Sequence, residues 1–145
     1  MSLKLHVGVV PTSRHGYDYM RELHSSPHQR KMIAEINQPF KPTLVILDGM
    51  EAFVDGGPMT GKRAQAKMLL ASADRVAIDA VGVAILKYLG SNDAIMKKKI
   101  FDQEQIARAV DLGLGASSPD KIELVAVDEK SKEGRNRIAE ILKKG

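Results

Sequence analysis

The chain has 145 residues, 43% of them hydrophobic, with three Phe, three Tyr, no Trp and no Cys. That length and content suit one domain with an aliphatic core, and the absence of cysteine excludes disulfides and thiolate ligation of any metal or iron–sulfur cluster by this chain. The formal charge is +4, but the basic residues gather at Lys97 to Lys99, Lys130, Lys132, Lys143 and Lys144 with no interleaved aromatics and no binding motif, so solvated helix ends explain them better than a nucleic-acid surface.

Leu3 to Val10 alternates and then fills with Val, as a strand does, and Pro11 ends it. Ser26, Pro27 and Gln29 form a helix-start signal that predicts a helix over Pro27 to Asn37, with Met32, Ile33 and Ile36 on its apolar face. Pro39 and Pro42 bracket the approach to Thr43 to Asp48, a short apolar run of the kind buried parallel strands use. After a glycine-rich loop, Lys67 to Ala71 reads as another short strand. Asp74 or Ser72 then caps a helix that Gly90 terminates. That helix is apolar nearly all round and is expected between layers. Helices near Asn92 to Lys99 and Gln103 to Leu112 follow, the second capped by Asp102 with Gln105 as its partner and closed by Gly113. Ile122 to Val127 is a last strand, and Glu133 to Lys143 an amphipathic helix on Ile138, Ile141 and Leu142. The alternation predicts a single layered α/β domain over residues 1–145, with a mostly parallel or mixed central sheet of about four strands flanked by helices.

No segment, the Val76 to Leu86 run included, has the length of a membrane span. With no signal peptide in view, the expected location is the cytoplasm.

Two acids stand in apolar surroundings. Asp48 closes TLVILD and Asp79 interrupts the run from Val76 to Leu86, so each carries a desolvation cost unless something pairs with it. Asp48 sits where open α/β sheets place ligands, or caps the turn that follows through an Asx-type bond. Asp79 has Arg75 one helical turn earlier as a partner in the weaker orientation, which leaves room for Lys62, Arg63 or a bound cation. Asp74 reads as a helix cap.

Between them lies GGPMTGK. The four-residue gap from Gly56 to Gly61 followed by Lys62 approaches a phosphate-binding P-loop, but Arg63 stands where a Ser or Thr would hold magnesium and Pro58 lacks an amide hydrogen. P-loop hydrolysis is excluded. What remains is a loop in which Gly56, Gly57, Gly61, Lys62 and Arg63 approach an anion, or a turn that needs glycine for backbone angles alone.

The four histidines are His6, His15, His24 and His28, with no helical pair at metal-ligand spacing. His24 with Asp48 and Asp79 would make an oxygen-rich set for a divalent metal. No nucleophile motif is present, and Gly113 to Ser117 is accounted for by a helix end and a turn.

The order Asp48, Gly56-Gly57-Pro58, Gly61, Ala71-Ser72, Asp74, Ala77 and Asp79 resembles the domain-of-unknown-function 362 family. Weaker likeness extends upstream through KLHVGVVP, Arg14 and the YMRELH around His24, and downstream through IARAVDLGLGASSPDKIELV. The resemblance implies either the C-terminal portion of a longer, redox-linked, iron–sulfur-associated protein or a naturally short member of the family, the first being favoured. Any cluster would then sit on a missing or partner segment, such as an N-terminal half or a ferredoxin-like domain. It also favours function at His24, Arg14, Asp48 and Asp79, with a small anionic ligand or a metal as the bound species. The competing readings are a scaffold module without chemistry and, less favoured, a nucleic-acid binder on the helices around Lys97 to Lys99.

Overall fold

The structure, a computed structural model, describes residues 13–14, 17–57 and 59–145. β1 (Ser13–Arg14) lies antiparallel to β2 (Tyr17–Asp18), and Asp18 caps α1 (Tyr19–Ser25) by accepting from the Arg21 amide at 2.9 Å. α2 (Gln29–Glu35) is shorter than the predicted Pro27 to Asn37 helix. Ser26 accepts from the His28 amide in a turn, leaving His28 as an N-cap without a side-chain bond. α1 was not predicted because it buries only Leu23, too little for an apolar period to show.

The chain then forms one long hairpin, β3 (Val45–Gly56) antiparallel to β4 (Gly61–Ser72). This corrects two expectations. Thr43 to Asp48 leads into β3 rather than forming a buried parallel strand, and Lys67 to Ala71 is the end of β4 rather than a separate strand. Burial alternates along β4, as in a ribbon with one face on protein and the other on solvent. Two bulges interrupt the ladder. Ala66 and Lys67 stand against the single Met50, with Lys67 at a φ of 56°, and Val54 is the extra residue of β3 near the tip. The Val54 carbonyl accepts from Ser91 Oγ at 2.7 Å and from the Asn92 amide at 3.0 Å, so the second bulge ties the hairpin to the turn after α3.

α3 (Arg75–Tyr88) is the centre of the molecule, as its composition predicted. Asp74 caps it, accepting from the Val76 and Ala77 amides at 2.8 and 2.9 Å. It ends in a Schellman motif, with Gly90 at a φ of 73° and the Ser91 amide donating to the Leu86 carbonyl. Val76, Ala80, Val81, Ala84 and Ile85 form the core with Ile100, Ile106, Ile138 and Leu142. Small residues on α3 let the hairpin and the later helices approach it from different sides.

α4 (Asp93–Met96) follows, capped by Asn92, then a 3-10 turn (Ile100–Asp102), α5 (Glu104–Asp111), a second 3-10 turn (Pro119–Lys121) and α6 (Glu129–Lys144). Asp102 does not cap α5. It lies inside the 3-10 turn that buries Ile100, and Gln103 takes the cap position without a capping bond. α6 begins at Glu129 rather than Glu133 because Asp128 accepts from the Ser131 amide. Ile122 to Val127 keeps a strand-like alternation, Ile122 and Leu124 against the core and Val125 and Val127 75% and 92% exposed, but pairs with no strand among the described residues.

The class is α/β, with six α-helices among the described residues. Their ladders are two antiparallel pairs, so a mostly parallel sheet of about four strands is not found there. The predicted strand Leu3 to Val10 lies outside the described residues. No helix among them is long and apolar enough to cross a membrane.

Candidate functional site

Asp48 and Asp79 line the same cleft. It has a volume of about 340 Å³ and opens between the Leu47 to Ala52 stretch of β3, one stripe of α3 and the start of α5. Asp79, Gly82, Val83 and Leu86 fall at helical spacing, so a single face of α3 supplies a carboxylate above an apolar wall. Leu47 and Ile106 add apolar surface from the opposite sides, and Gly82 lets the hairpin come close, since a β-carbon there would meet Leu47 Cδ1 at 3.2 Å. Arg30 closes one side from α2. That helix is anchored by the Glu35–Arg108 ion pair at 2.7 Å to α5 and by Arg75 donating to the Asn37 carbonyl at 2.5 Å.

Arg75 therefore does not serve Asp79. Its guanidinium donates to the Asn37 and Leu114 carbonyls, and among the described residues no cation lies within ion-pair distance of Asp79. The Asp79 side chain reaches solvent at the cleft mouth, yet the surrounding walls displace enough water to raise its carboxyl above the ordinary carboxylate range. A hydrogen bond with the Gln105 side chain pulls it partly back. Perturbed acids of this kind concentrate at functional sites.

Asp48 makes the Asx-type bond but lies inside antiparallel β3 rather than at the end of a parallel strand. Its Oδ1 accepts from the Met50 amide at 3.0 Å, holding the residue that faces the Ala66–Lys67 bulge, while its other oxygen is not engaged by any hydrogen bond among the described residues. Gln103 and Gln105 complete the polar set. Sequence reasoning missed Arg30 and Gln103 and assigned Gln105 to a capping box. Gln103 is the one buried polar residue among those described, which only a folded structure could reveal.

The other predicted residues lie elsewhere. Gly56, Gly57 and Gly61 shape the hairpin tip: Gly56 and Gly57 have φ of 72° and 97°, the Gly57 amide donates to Thr60 at 2.7 Å, and a β-carbon on Gly61 would strike the Asp55 carbonyl. Arg63 pairs with Glu51 at 2.9 Å and lies 5.9 Å from the Phe53 ring centre, and Lys62 faces Asp55 in the register. None of these five residues lines the cleft. His24 shares a 3.1 Å hydrogen bond with Gln29 and is also outside it. Among the described residues, no three of His, Asp and Glu are grouped to hold a metal ion. Arg14 pairs with Tyr17 in β1, and its side chain is outside the described set, as are His6, His15 and Pro58.

An iron–sulfur cluster does not fit this chain, which has no cysteine to ligate one. The Gly113 to Ser117 segment has an internal anion already: Gly113 closes a Schellman motif on α5, and the Ala116 amide donates to Asp74 Oδ2 at 2.7 Å.

No curated protein and no solved structure matches the chain. The model of one family, a domain of unknown function (DUF362), matches residues 1–84. The likeness read in the IARAVDLGLGASSPDKIELV segment falls outside that match, as do Gln103 and Gln105, whereas Arg30, Asp48 and Asp79 lie within it. With more than half its length matched, and with both cleft acids inside the matched part, the chain belongs to the DUF362 family.

Proposed function

We propose that this chain binds a small ligand in the Asp48–Asp79 cleft and serves as the ligand-holding part of a redox-linked, iron–sulfur-associated protein of the cytoplasm. The observation that carries the reading is one apolar-walled cleft lined by Asp79, an arginine and two amides, with Asp48 also in its lining. An apolar pocket with a few convergent polar groups and one perturbed acid is the usual form of a ligand site. Asp79 and Gln105 would hydrogen-bond the ligand, Arg30 would neutralise an anionic group, and a divalent cation on Asp48 and Asp79 would need further oxygens from the ligand or a partner. The hairpin-tip group Gly56, Gly57, Gly61, Lys62 and Arg63 is a weaker candidate for the anion, because two of its amides and Arg63 are engaged internally.

The test is backbone-amide NMR of the full chain titrated with a fragment library and, separately, with Mg²⁺ and Zn²⁺. Shifts clustered at 47–49, 82–86 and 103–106 are expected. Shifts confined to the hairpin tip, or none anywhere, would overturn the assignment.

A second reading, a docking module, has its own support. Ile46 and Leu69 on the outer face of the hairpin are 62% and 70% exposed. In this reading the chain is one domain, the C-terminal portion of a longer protein, and an N-terminal half or ferredoxin-like domain covers that face. A partner adding strands along the outer edges of β3 and β4 would complete a sheet of about four strands. Nucleic-acid binding has less support, since Lys97 and Lys98 are engaged by Asp93 and Glu104.

A further inference from the structure

A second cleft, of about 300 Å³, adjoins the first and shares Arg30 and Gln103 with it. Its character is opposite. Arg30, Lys97 and Lys98 line it against two carboxylates, Asp93 and Glu104, and each of those acids is held by a lysine, Lys97 to Asp93 at 2.6 Å and Lys98 to Glu104 at 3.9 Å. Arg30 has no hydrogen bond or ion pair among the described residues, so its guanidinium is the cation left for an incoming anion. The first cleft also carries Asp79 and Gln105 beside the apolar walls of Leu47, Val83 and Ile106.

We infer that the paired clefts take one amphoteric aliphatic ligand of the amino-carboxylate class. Its carboxylate meets Arg30 where the clefts join, its ammonium meets Asp79, and its methylene chain crosses the apolar wall of Leu47, Val83 and Ile106. A planar guanidinium binds a carboxylate through two parallel hydrogen bonds, which sets the direction of the ligand as well as holding it. A purely anionic ligand would meet Asp79, and a purely cationic one would leave Arg30 without a partner. This inference rests on the reading of the first cleft as a ligand site.

The test is NMR titration of the full chain with 6-aminohexanoate, hexanoate and hexylamine, using the wild type and the Arg30→Gln and Asp79→Asn variants. The amphoteric probe is expected to bind about tenfold more tightly than either half-probe. Arg30→Gln should weaken 6-aminohexanoate and hexanoate by about tenfold while leaving hexylamine unchanged, and Asp79→Asn should weaken 6-aminohexanoate and hexylamine only. Equal affinity for the three probes, or a loss in Arg30→Gln common to all of them, would overturn the inference. If other fragments shift the cleft amides and these probes do not, the ligand class is wrong and the cleft reading stands. If no small molecule shifts them, both fall.

Discussion

Asp74 and Asp79 stand five positions apart on either side of the first turn of α3 and have opposite circumstances. Asp74 is saturated: its two oxygens accept from the Val76, Ala77 and Ala116 amides, so one carboxylate starts the helix and fastens the chain that returns after α5. Asp79 has apolar walls, one amide neighbour and no ion-pair partner among the described residues. The sequence already set them apart, Asp74 as a helix cap and Asp79 as an acid interrupting an apolar run. The difference shows that an acid is structural when backbone amides surround it, and available for a ligand when the fold strands it on an apolar stripe.

The largest expected effect therefore falls on Asp74. Asp74→Ala removes a helix cap and leaves three amides without their acceptor, at a cost of about 2–3 kcal/mol in urea unfolding. Gly115→Ala should act through the same place, since a β-carbon there would strike the Asp74 carboxylate. Because the two changes break one arrangement, the double variant should lose less than the sum of the single losses. Additive losses would show that Gly115 acts elsewhere.

Asp79→Asn should do the reverse. Burial raises the Asp79 carboxyl, so as pH climbs through the ordinary carboxylate value the unfolded chain gives up this proton before the folded one does. Wild-type stability from this group is thus lost as pH rises from about 4 through the higher folded value. The Asn variant avoids that loss, and its urea midpoint should exceed the wild type's at pH 8 but approach it at pH 4. A variant less stable at pH 8 would mean that ionised Asp79 has a favourable partner and would erase the contrast with Asp74.

The sequence made the helical centre legible because each signal there was local. Asp74, the apolar run and Gly90 specify α3 from start to Schellman end within one stretch of chain. The hairpin was illegible for the opposite reason. Two extra residues, one on each strand, break the period-two pattern, and a glycine tip that turns the chain looks like a phosphate loop when its partner strand is not in view. Asp48 and Asp79 could be named from their apolar surroundings, but Arg30, Gln103 and Gln105 reach the cleft only through packing of α2 and α5, which leaves no mark at any one position.

Lys67 offers a smaller test of the hairpin. It holds a φ of 56° at the bulge, a conformation that costs a side-chain-bearing residue about 1–2 kcal/mol, while glycine adds about 0.5–1 kcal/mol of unfolded-chain entropy. Lys67→Gly should therefore raise stability by about 0.5–1 kcal/mol. A loss would mean that the lysine chain itself secures the bulge.

The smallest expected effect distinguishes the hairpin tip from the cleft. Arg63 pairs with Glu51 across the ladder, with side chains 59% and 43% exposed, and exposed pairs contribute about 0.5 kcal/mol or less. Arg63 also lies over the ring of Phe53, which is half-buried. Arg63→Ala together with Lys62→Ala should thus change the urea midpoint little and leave ligand-induced shifts at 82–86 and 103–106 unchanged. The informative comparison is with Arg30→Gln, which removes one positive charge where the tip variant removes two, but which faces the cleft. If the tip variant weakens an anionic probe as much as Arg30→Gln does, long-range charge rather than the cleft attracts the anion, and raising the salt concentration should abolish both effects together. If only Arg30→Gln weakens it, and the loss persists at high salt, the anion is held by contact at the cleft, and the glycines of the tip are there to turn the chain.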